Sequence, residues 1–381
     1  MCSGVLMKKI DYHTCIVTFP ISRAFRMPLS NLVDVVSCIS KKTSVIIGSY
    51  ENIELNYRED SNVTVSQFDI GVSSDLPSRI MRFVKFQILS LFSFLKIIRG
   101  VDKVIFFMEW DPILLIMVSK IFGKKTIWIL PSSATLMRKY NPDPLLAFSR
   151  YPEWLCYCLS DVIGVFSANL IKEWDLVKWK EKIVIAPNHF IDFNQFKITK
   201  AYTDRENLVG YIGRFSKEKG IGNFLKAAEI VLKTHPEIKI FLGGSGDPEK
   251  FDVDLHKFQA QDQVRVSGWI PHNILQVPLN NLKILVIPSY TEALPNILLE
   301  AMATGTLVIA SKVGAIPDII KDGETGFLLE NNSPEGIADK IIQVLISNDI
   351  LSITERAEKL VKNKYCFEAA VERYQQIFNE L

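Results

Sequence analysis

The sequence predicts an α/β protein of two doubly wound, parallel-sheet domains. Its length, 381 residues, suits two such domains of ordinary size. Short apolar runs typical of buried parallel strands alternate with longer segments of helical periodicity. A polar, charged stretch separates the two halves. We therefore expect one domain over residues 1–192, a linker over 193–207 and a second domain over 208–364.

The first half of the chain is predicted to alternate strands with helices. The expected strands cover residues 15–19, 44–47, 63–68, 103–108, 125–130, 161–166 and 183–186. The expected helices cover residues 31–39, 79–99, 113–122 and 167–174. In an open α/β sheet, ligands bind beyond the carboxyl ends of the strands. The loops after these strands therefore supply candidate binding residues: Arg23, Glu109, Asp111, Ser132 and Ser133.

Residues 79–99 are predicted to form an amphipathic helix. Projected at about 100° per residue, its basic and apolar side chains fall on opposite halves. The basic half holds Arg79, Arg82, Lys85, Lys96 and Arg99. The apolar half holds Ile80, Phe83, Val84, Leu91, Phe94, Leu95 and Ile98. Since the stretch has no acidic residue, it suits peripheral contact with an anionic membrane; the alternative is a sheet-packing helix with a solvated basic half.

The second half is organised around residues 284–310. Apolar runs at 284–287 and 307–309 are expected to be buried strands. The helix between them is expected to begin at Pro295, whose missing N–H costs nothing there, and to end at Gly305. This order directs a helix N-terminus beyond a strand end, which favours an anionic ligand.

Two acidic residues bracket the start of that helix. Glu292 lies in the preceding loop, and Glu300 lies on the helix past its first turn. By spacing alone, one capping acid and one solvated helix acid are the alternative. The other expected elements of this half are strands over 208–212 and 240–247, the latter with a glycine turn, and a helix over 221–232.

Composition limits the classes of function. A formal net charge of +2 gives no bulk attraction for nucleic acid, so no nucleic-acid partner is expected. The six cysteines lack the spacing of a zinc site and fit a reduced compartment. Residues 1–10 have no long apolar segment, and the longest apolar runs are too short for a membrane span. We expect a cytoplasmic protein with, at most, peripheral membrane contact.

Five stretches in order point to one enzyme family. They are residues 211–220 (YIGRFSKEKG), 240–247 (IFLGGSGD), 266–271 (VSGWIP), 284–310 and 314–329. Together they resemble the donor-binding signatures of the retaining glycosyltransferases of family 4. The resemblance implies the GT-B fold, two Rossmann-like domains facing each other across a cleft. It also implies that the terminal helix, residues 365–381, crosses back to the first domain.

The activity implied by the resemblance is retaining, metal-independent transfer of a sugar. The donor would be a nucleotide sugar, UDP- or GDP-linked. The acceptor would be a lipid-linked or cell-surface glycan. The alternative is a catalytically inactive nucleotide-sugar-binding subunit of a glycan assembly complex.

The resemblance assigns the donor site to the second domain. Arg214 and Lys219 would bind the donor diphosphate, although two basic residues in a charged loop are the alternative. Glu292 would bind the transferred sugar, and Glu300 would bind the ribose hydroxyls. Arg214, Lys219 and Glu292 form the expected catalytic set. The other expected donor contacts are Gly213, Gly244, Gly246, Trp269, Ile270, Ala293, Leu294, Asn296 and Ile297.

The resemblance is weakest in the first domain. Many relatives have paired glycines after the first strand and a histidine after the strand equivalent to 125–130. This chain has PISRAFRM at 20–27 and Pro-Ser-Ser at 131–133 instead. The catalytic contact from this domain is therefore unassigned. The acceptor contacts are expected among the candidates named above, and for Arg23 a solvated surface position is the alternative.

No metal or other cofactor is expected. The pair Asp252 and Asp254 has the Asp-x-Asp spacing of metal-dependent transferases of a different fold, but it lies in a polar connection and is interpreted as accidental. Expulsion of a diphosphate creates negative charge that must be stabilised. Arg214, Lys219 and the backbone N–H groups at the helix start, residues 296–297, would supply that stabilisation.

Overall fold

The computed structural model describes residues 10–21, 26–49, 54–55, 57, 62–71, 75–108, 111–132, 150–246, 258, 261–347 and 349–381. The chain divides into two compact units. One comprises Met1–Phe190 and Phe367–Leu381, and the other comprises Ile191–Cys366. Each unit is built on one parallel sheet, so the predicted pair of parallel-sheet α/β domains is confirmed.

The first unit has a seven-stranded parallel sheet in its described part, ordered β3-β2-β1-β4-β5-β6-β7. The strands are β1 (Ile10–Ile21), β2 (Ser40–Ser49), β3 (Val63–Asp69), β4 (Lys103–Phe107), β5 (Lys125–Ile129), β6 (Val162–Val165) and β7 (Ile183–Ile185). The helices are α1 (Arg26–Ile39), α2 (Leu76–Ile97), α3 (Ile113–Ile121), α4 (Arg150–Leu159) and α5 (Asn169–Glu173). α1 begins earlier than predicted because Pro28 is tolerated in a first helical turn.

Helix α2 packs on the sheet through a narrow strip of side chains. Asp75 caps its start by accepting a hydrogen bond from the Ser78 N–H at 3.0 Å. The buried strip includes Phe86, which stacks on Phe19 with ring centroids 4.2 Å apart, and Phe94. Gly48 of β2 leaves room for the Phe86 ring, since a Cβ there would lie 2.4 Å from it.

The predicted apolar and basic halves of α2 do not coincide with its buried and exposed sides. Val84 and Leu95, predicted on the apolar half with Phe94, are exposed while Phe94 is buried. Further apolar residues, Ile88 and Phe92, also face outward. The helix is apolar both toward the sheet and away from it. In the described part of the chain, no helix is both long enough and apolar enough to cross a membrane.

The second unit has a six-stranded parallel sheet in its described part, ordered β10-β9-β8-β11-β12-β13. The strands are β8 (Leu208–Ile212), β9 (Lys239–Gly243), β10 (Val264–Gly268), β11 (Ile284–Ile287), β12 (Leu307–Ser311) and β13 (Phe327–Leu329). The helices are α6 (Ile221–Thr234), α7 (Gln276–Asn281), α8 (Asn296–Ala303), α9 (Ile316–Ile319), α10 (Pro334–Leu345) and α11 (Ile350–Lys364). Fully buried apolar strands at its centre place the core around β8 and β11.

The unit β11-α8-β12 lies where the sequence predicts it. Pro295 is the residue that caps the start of α8, so the helix proper begins one residue later. Gly305, in the left-handed conformation at φ +68°, follows the helix end and turns the chain into β12. Because the loop from β11 to α8 follows the last residue of β11, it emerges at the carboxyl edge of the sheet.

The last helix, α12 (Phe367–Asn379), packs on the first unit. The buried Tyr374 hydroxyl donates to the Ala186 carbonyl at 2.9 Å. Arg373 donates to the Pro187 carbonyl at 2.7 Å, and Lys103 donates to the Phe378 carbonyl. These contacts attach the chain terminus to the carboxyl side of β7 and to β4.

Candidate functional site

The candidate site of the second unit is built from loops after neighbouring strands. The loop after β8 meets the loop after β11, where the Tyr290 N–H donates to the Glu218 carbonyl at 2.8 Å. It also meets the loop after β9, where the Phe215 N–H donates to the Ser245 carbonyl at 2.8 Å. The carboxyl ends of parallel strands share one edge of the sheet, so these loops converge there.

Lys219 and Glu292 form an ion pair at the centre of these loops. Lys219 Nζ lies 2.7 Å from Glu292 Oε1. The Ser289 hydroxyl donates to the same oxygen at 2.8 Å. The Glu292 side chain is only 8% exposed, whereas Lys219 is 29% exposed. Two residues predicted for separate parts of the donor are thus in direct contact, and the ammonium remains reachable from solvent.

Arg214 lies in the same loop but pairs with a different acid. Its guanidinium contacts Glu218, and its side chain is 65% exposed. Burial opposes ionisation of Glu218, yet its own backbone N–H and the Arg214 charge hold its pKa below the usual value. The Tyr211 hydroxyl donates to the Arg214 carbonyl at 2.8 Å, which fixes the backbone at this position. The guanidinium is held near the site without being buried in it.

Glu300 is buried on α8 beside a residue that the sequence did not single out. Its Oε1 accepts a hydrogen bond from His272 Nε2 at 2.8 Å. The Glu300 side chain is 5% exposed and the His272 side chain 37%. The hydrogen bond to Glu300 raises the pKa of His272, although partial burial opposes the charged form.

His272 is itself held in place by the segment that enters the second unit. Its ring centroid lies 5.2 Å from that of Phe196. Its carbonyl accepts a hydrogen bond from the Gln195 amide at 2.7 Å. The only available sequence signal was its position directly after residues 266–271, which the resemblance assigns to the base of the nucleotide.

Two glycines allow the close backbone approaches that the loops require. Gly244 has φ +140°, and a Cβ there would lie 1.8 Å from the Gly213 carbonyl oxygen. Gly314 has φ +60°, and a Cβ there would lie 2.1 Å from the Glu292 carbonyl oxygen. Both positions therefore exclude larger residues on steric and conformational grounds. Gly246, another predicted contact, lies beside Phe215 in the same glycine turn.

The turn after β10 presents an exposed aromatic ring. Trp269 is 69% exposed, which is unusual for so large an apolar side chain. The neighbouring Ile270 is half-buried, and its Cδ1 packs over Gly243. This turn also contacts the glycine turn, since the Gly244 N–H donates to the Gly268 carbonyl at 2.6 Å. The indole is available for stacking on a flat ligand.

The start of α8 supplies the remaining predicted contacts. Asn296 and Ile297, its first two residues, are half-buried. Leu294 is buried and Ala293 is half-buried. The Ala293 carbonyl accepts a hydrogen bond from the Ala315 N–H at 2.8 Å, so that oxygen is already engaged within the protein.

A half-buried amide stiffens the loop that carries Glu292. The Asn332 side chain donates to the carbonyls of Pro288 and Ser289, each at 3.1 Å. Its oxygen accepts from the Ser311 hydroxyl at 2.8 Å. Sequence reasoning missed Asn332 because it lies far along the chain from the loop that it supports.

The candidates of the first unit are only partly within the described residues. Arg23, Glu109 and Ser133 lie outside them. Asp111 is buried, and its carbonyl accepts from the Gln87 amide at 3.2 Å. Ser132 is half-buried, just beyond β5. The acceptor assignment of all five residues stays a prediction.

Among the described residues, no group of three His, Cys, Asp or Glu side chains could hold a metal ion. Asp252 and Asp254 lie outside those residues. The metal independence of the reaction stays a prediction.

A family model described as glycosyl transferases group 1 matches residues 192–366. The match covers the second unit, which carries the site described above. It supports the broader group, while the narrower assignment to family 4 stays a prediction.

Two curated relatives illustrate the similarity. N-acetyl-alpha-D-glucosaminyl L-malate synthase of Bacillus anthracis is 31% identical over 234 residues, covering 58% of this chain and 60% of the relative. The capsular polysaccharide biosynthesis glycosyltransferase CapM of Staphylococcus aureus is 27% identical over 246 residues, covering 58% of this chain and 62% of the relative. In both cases the match spans less than two thirds of the relative.

A solved structure matches nearly the whole chain. The Anabaena protein Alr3699/HepE in complex with UDP superimposes with a TM-score of 0.72 at 13% identity, covering 97% of this chain and 100% of that chain. At 13% identity, this structural similarity is evidence for the fold alone. With the two parallel sheets, it confirms the predicted GT-B fold class of two Rossmann-like domains.

Proposed function

We propose that the protein is a glycosyltransferase that takes its sugar from a nucleotide-sugar donor bound in the second unit. The observation that carries the proposal is the cluster of Lys219, Glu292 and Glu300 at one sheet edge. It combines a reachable cation with two largely buried carboxylates. A cation can bind a diphosphate, and carboxylates can accept hydrogen bonds from sugar hydroxyls.

The leaving diphosphate determines what Lys219 and Arg214 do. As the bond from the anomeric carbon to the phosphate oxygen breaks, negative charge grows on the diphosphate. Lys219 would turn from Glu292 toward the phosphate, since its side chain is partly exposed. Arg214 offers a planar fork from the same loop. The two cations would stabilise the leaving group without a metal.

Glu292 and Glu300 divide the recognition of the donor between them. Glu292 lies at the loop that precedes α8, where the transferred sugar would sit. Glu300 would accept hydrogen bonds from the ribose hydroxyls through the oxygen not bonded to His272. His272 fixes the rotamer of Glu300 and so acts as a positioning residue.

The proposed reaction retains the configuration of the anomeric carbon. In a front-face reaction the acceptor oxygen forms a bond to the anomeric carbon on the side from which the phosphate departs. The acceptor hydroxyl proton passes to the leaving phosphate oxygen. This scheme needs no nucleophile from the protein. A trapped covalent glycosyl-enzyme adduct would contradict it.

For donor and acceptor, the proposal is a UDP- or GDP-sugar and a lipid-linked or cell-surface glycan. UDP is favoured since the structurally similar Alr3699/HepE was crystallised with it. CapM is named for capsular polysaccharide biosynthesis, which favours a glycan acceptor. A lipid-linked acceptor would bring the protein to the cytoplasmic face of a membrane as a peripheral protein.

A binding screen tests the donor site. The full chain would be titrated calorimetrically with UDP-, GDP-, ADP- and dTDP-sugars, with and without EDTA. We expect one nucleotide to bind selectively, unaffected by EDTA, and to bind at least about tenfold more weakly to Glu300→Ala, which loses a charged hydrogen bond. Failure of folded protein to bind any nucleotide sugar would overturn the proposal.

A further inference from the structure

Both cations expected to bind the donor diphosphate are paired with acids of the same loops. Lys219 contacts Glu292, and the Arg214 guanidinium contacts Glu218. Burial, and then the charges of Glu292 and Glu218, raise the pKa of Tyr211, so both carboxylates lie close to its hydroxyl. The two ion pairs therefore share one site. The proposed reaction uses the two cations and Glu292 but leaves Glu218 without a role.

Glu218 lies on a backbone that packs tightly against the loop after β11. Its carbonyl accepts a hydrogen bond from the Tyr290 N–H of that loop at 2.8 Å. Two residues further on, Gly220 has φ +71°, and a Cβ there would lie 2.0 Å from a carbonyl oxygen of the same loop. The Glu218 side chain is 29% exposed, whereas that of Arg214 is 65% exposed. Glu218 is therefore the fixed member of its ion pair, and Arg214 is the member that is free to move.

The Glu218 carboxylate and a bound diphosphate would have opposite effects on Arg214. Both are anions that accept hydrogen bonds from a guanidinium, so each draws it away from the other. A carboxylate beside a diphosphate also repels it, since like charges disfavour each other at short range. Because the Arg214 side is largely exposed, the ion pair with Glu218 is weak enough to exchange. Glu218 therefore opposes diphosphate binding without abolishing it.

We propose that Glu218 is a positioning residue that competes with the product diphosphate for Arg214 and so promotes release of the nucleoside diphosphate. The inference rests on the proposed function. When the bond from the anomeric carbon breaks, the phosphate oxygen keeps the electron pair, takes up the acceptor proton and loses it to solvent near neutral pH. The product diphosphate therefore carries more negative charge than the donor and is held more tightly by the two cations. Return of Arg214 to Glu218 offsets that difference, and product release limits turnover in many enzymes.

Glu218→Gln in the full chain tests the competition, by calorimetric titration with UDP and with GDP. The amide removes the charge but keeps the size of the side chain and the backbone contacts. We expect the variant to bind the preferred nucleotide about fivefold more tightly than wild type, because no ion pair has to break and a like charge is absent. Glu358→Gln is the control, since it removes the acid of another pair four residues apart, with Lys362 on α11. It should leave the nucleotide affinity unchanged.

A double-substitution cycle tests whether the effect passes through Arg214. In an Arg214→Gln background, Glu218→Gln should tighten nucleotide binding by no more than about twofold, the part that comes from the like charge alone. In turnover assays, the nucleoside diphosphate should inhibit Glu218→Gln at about fivefold lower concentration than wild type.

Three results would overturn the inference. Unchanged binding by folded Glu218→Gln would remove the competition. Weaker binding would mean that Glu218 orients Arg214 toward the diphosphate instead. An equal tightening in the Arg214→Gln background would reduce the role of Glu218 to simple repulsion. If wild type binds neither UDP nor GDP, the proposed function fails, and this inference fails with it.

Discussion

At the residue scale, the ion pair of Lys219 and Glu292 stabilises the centre of the proposed donor site. A carboxylate that is 8% exposed would be costly without a partner, and Lys219 supplies one at 2.7 Å. When a diphosphate enters, the ammonium can exchange one anion for another. Under the proposed function, the same cation would contribute to stability before binding and to charge stabilisation during transfer.

Replacing Lys219 by alanine should reduce turnover much more than folding. Loss of one preorganised cation at a developing charge is expected to lower kcat by about a hundredfold or more. Lys217→Ala is the control because Lys217 is exposed in the same loop. Steady-state kinetics on both variants make the comparison. Equal activity of Lys219→Ala and Lys217→Ala would remove Lys219 from the catalytic set.

His272 should give the site a pH-dependent contribution to stability. Since Glu300 raises its pKa above the usual value of 6.5, the stabilisation is complete below about pH 6.5 and is lost as pH rises through the raised value. The excess in Tm of wild type over His272→Gln should therefore shrink with increasing pH. Differential scanning calorimetry across that range measures it; an excess that grows with pH would contradict the assignment.

The positioning role of His272 has a separate readout. His272→Gln should raise the KM for donor with a smaller effect on kcat, because Glu300 would hold the ribose less precisely. His235→Gln is the control, since His235 contacts Glu237 at a surface away from the loops. If both variants keep the wild-type KM, His272 has a structural role only.

The sequence predicted the acidic and basic residues that lie in these loops and on α8, but not the residues that support them. Glu292, Glu300 and Lys219 lie in a long ordered pattern of strand, loop and helix. His272 and Asn332 act through side-chain hydrogen bonds formed only after folding. No periodicity or local spacing marks such residues. The donor contacts of these residues all stay predictions, that of Arg214 included, and its guanidinium contacts Glu218.

At the element scale, the connection after β12 fixes the loop that carries Glu292. Gly314 approaches the Glu292 carbonyl so closely that a Cβ would lie 2.1 Å from it. Gly314→Ala should therefore destabilise the fold by about 1–3 kcal/mol and also weaken donor binding.

Gly323→Ala provides the control for Gly314. Gly323 has a similar φ of +73° but open space around its Cα. Gly323→Ala should lower the free energy of unfolding by about 1 kcal/mol, the cost of placing a Cβ at positive φ, and leave donor binding unchanged. Urea unfolding and calorimetry give both quantities. Equal effects of the two substitutions on donor binding would show that the approach to Glu292 is unimportant.

The bounds of strands and helices were predicted best where Gly, Pro or polar turn residues end a short apolar run. β8 and β11 match their predicted bounds because each is a short apolar run ended by a turn. α2 covers Leu76–Ile97 where the prediction was 79–99, and its buried strip does not coincide with the predicted apolar half. Periodicity identifies which residues share a side of a helix, yet it cannot say which side packs when both are apolar.

At the scale of the whole molecule, the last helix links the chain terminus to the first unit. Tyr374 is fully buried, and its hydroxyl donates to Ala186. Tyr374→Phe would leave that carbonyl without its donor and should lower the free energy of unfolding by about 1–3 kcal/mol. Tyr151→Phe, at a tyrosine that is 84% exposed, should have almost no effect. Chemical denaturation of both variants makes the test, and equal stability would contradict the account.

Length, alternation and ordered motifs sufficed to predict two parallel-sheet domains, because the central strands, such as β4 and β11, are buried apolar runs and most described connections carry a helix. The acceptor site could not be predicted to the same degree. Its candidates are common polar residues in loops, and no pattern of chemistry distinguishes them from solvated positions.

The activity proposed for the chain is transfer of a sugar from a nucleotide donor. The most direct test is turnover of the selected UDP- or GDP-sugar by full-length protein with glycolipid-containing membranes, followed by nucleoside diphosphate release and sugar incorporation. We predict both products from wild type, in EDTA, and a loss of about a hundredfold or more in Glu292→Gln. Donor binding without either product would contradict the claim and favour an inactive nucleotide-sugar-binding subunit.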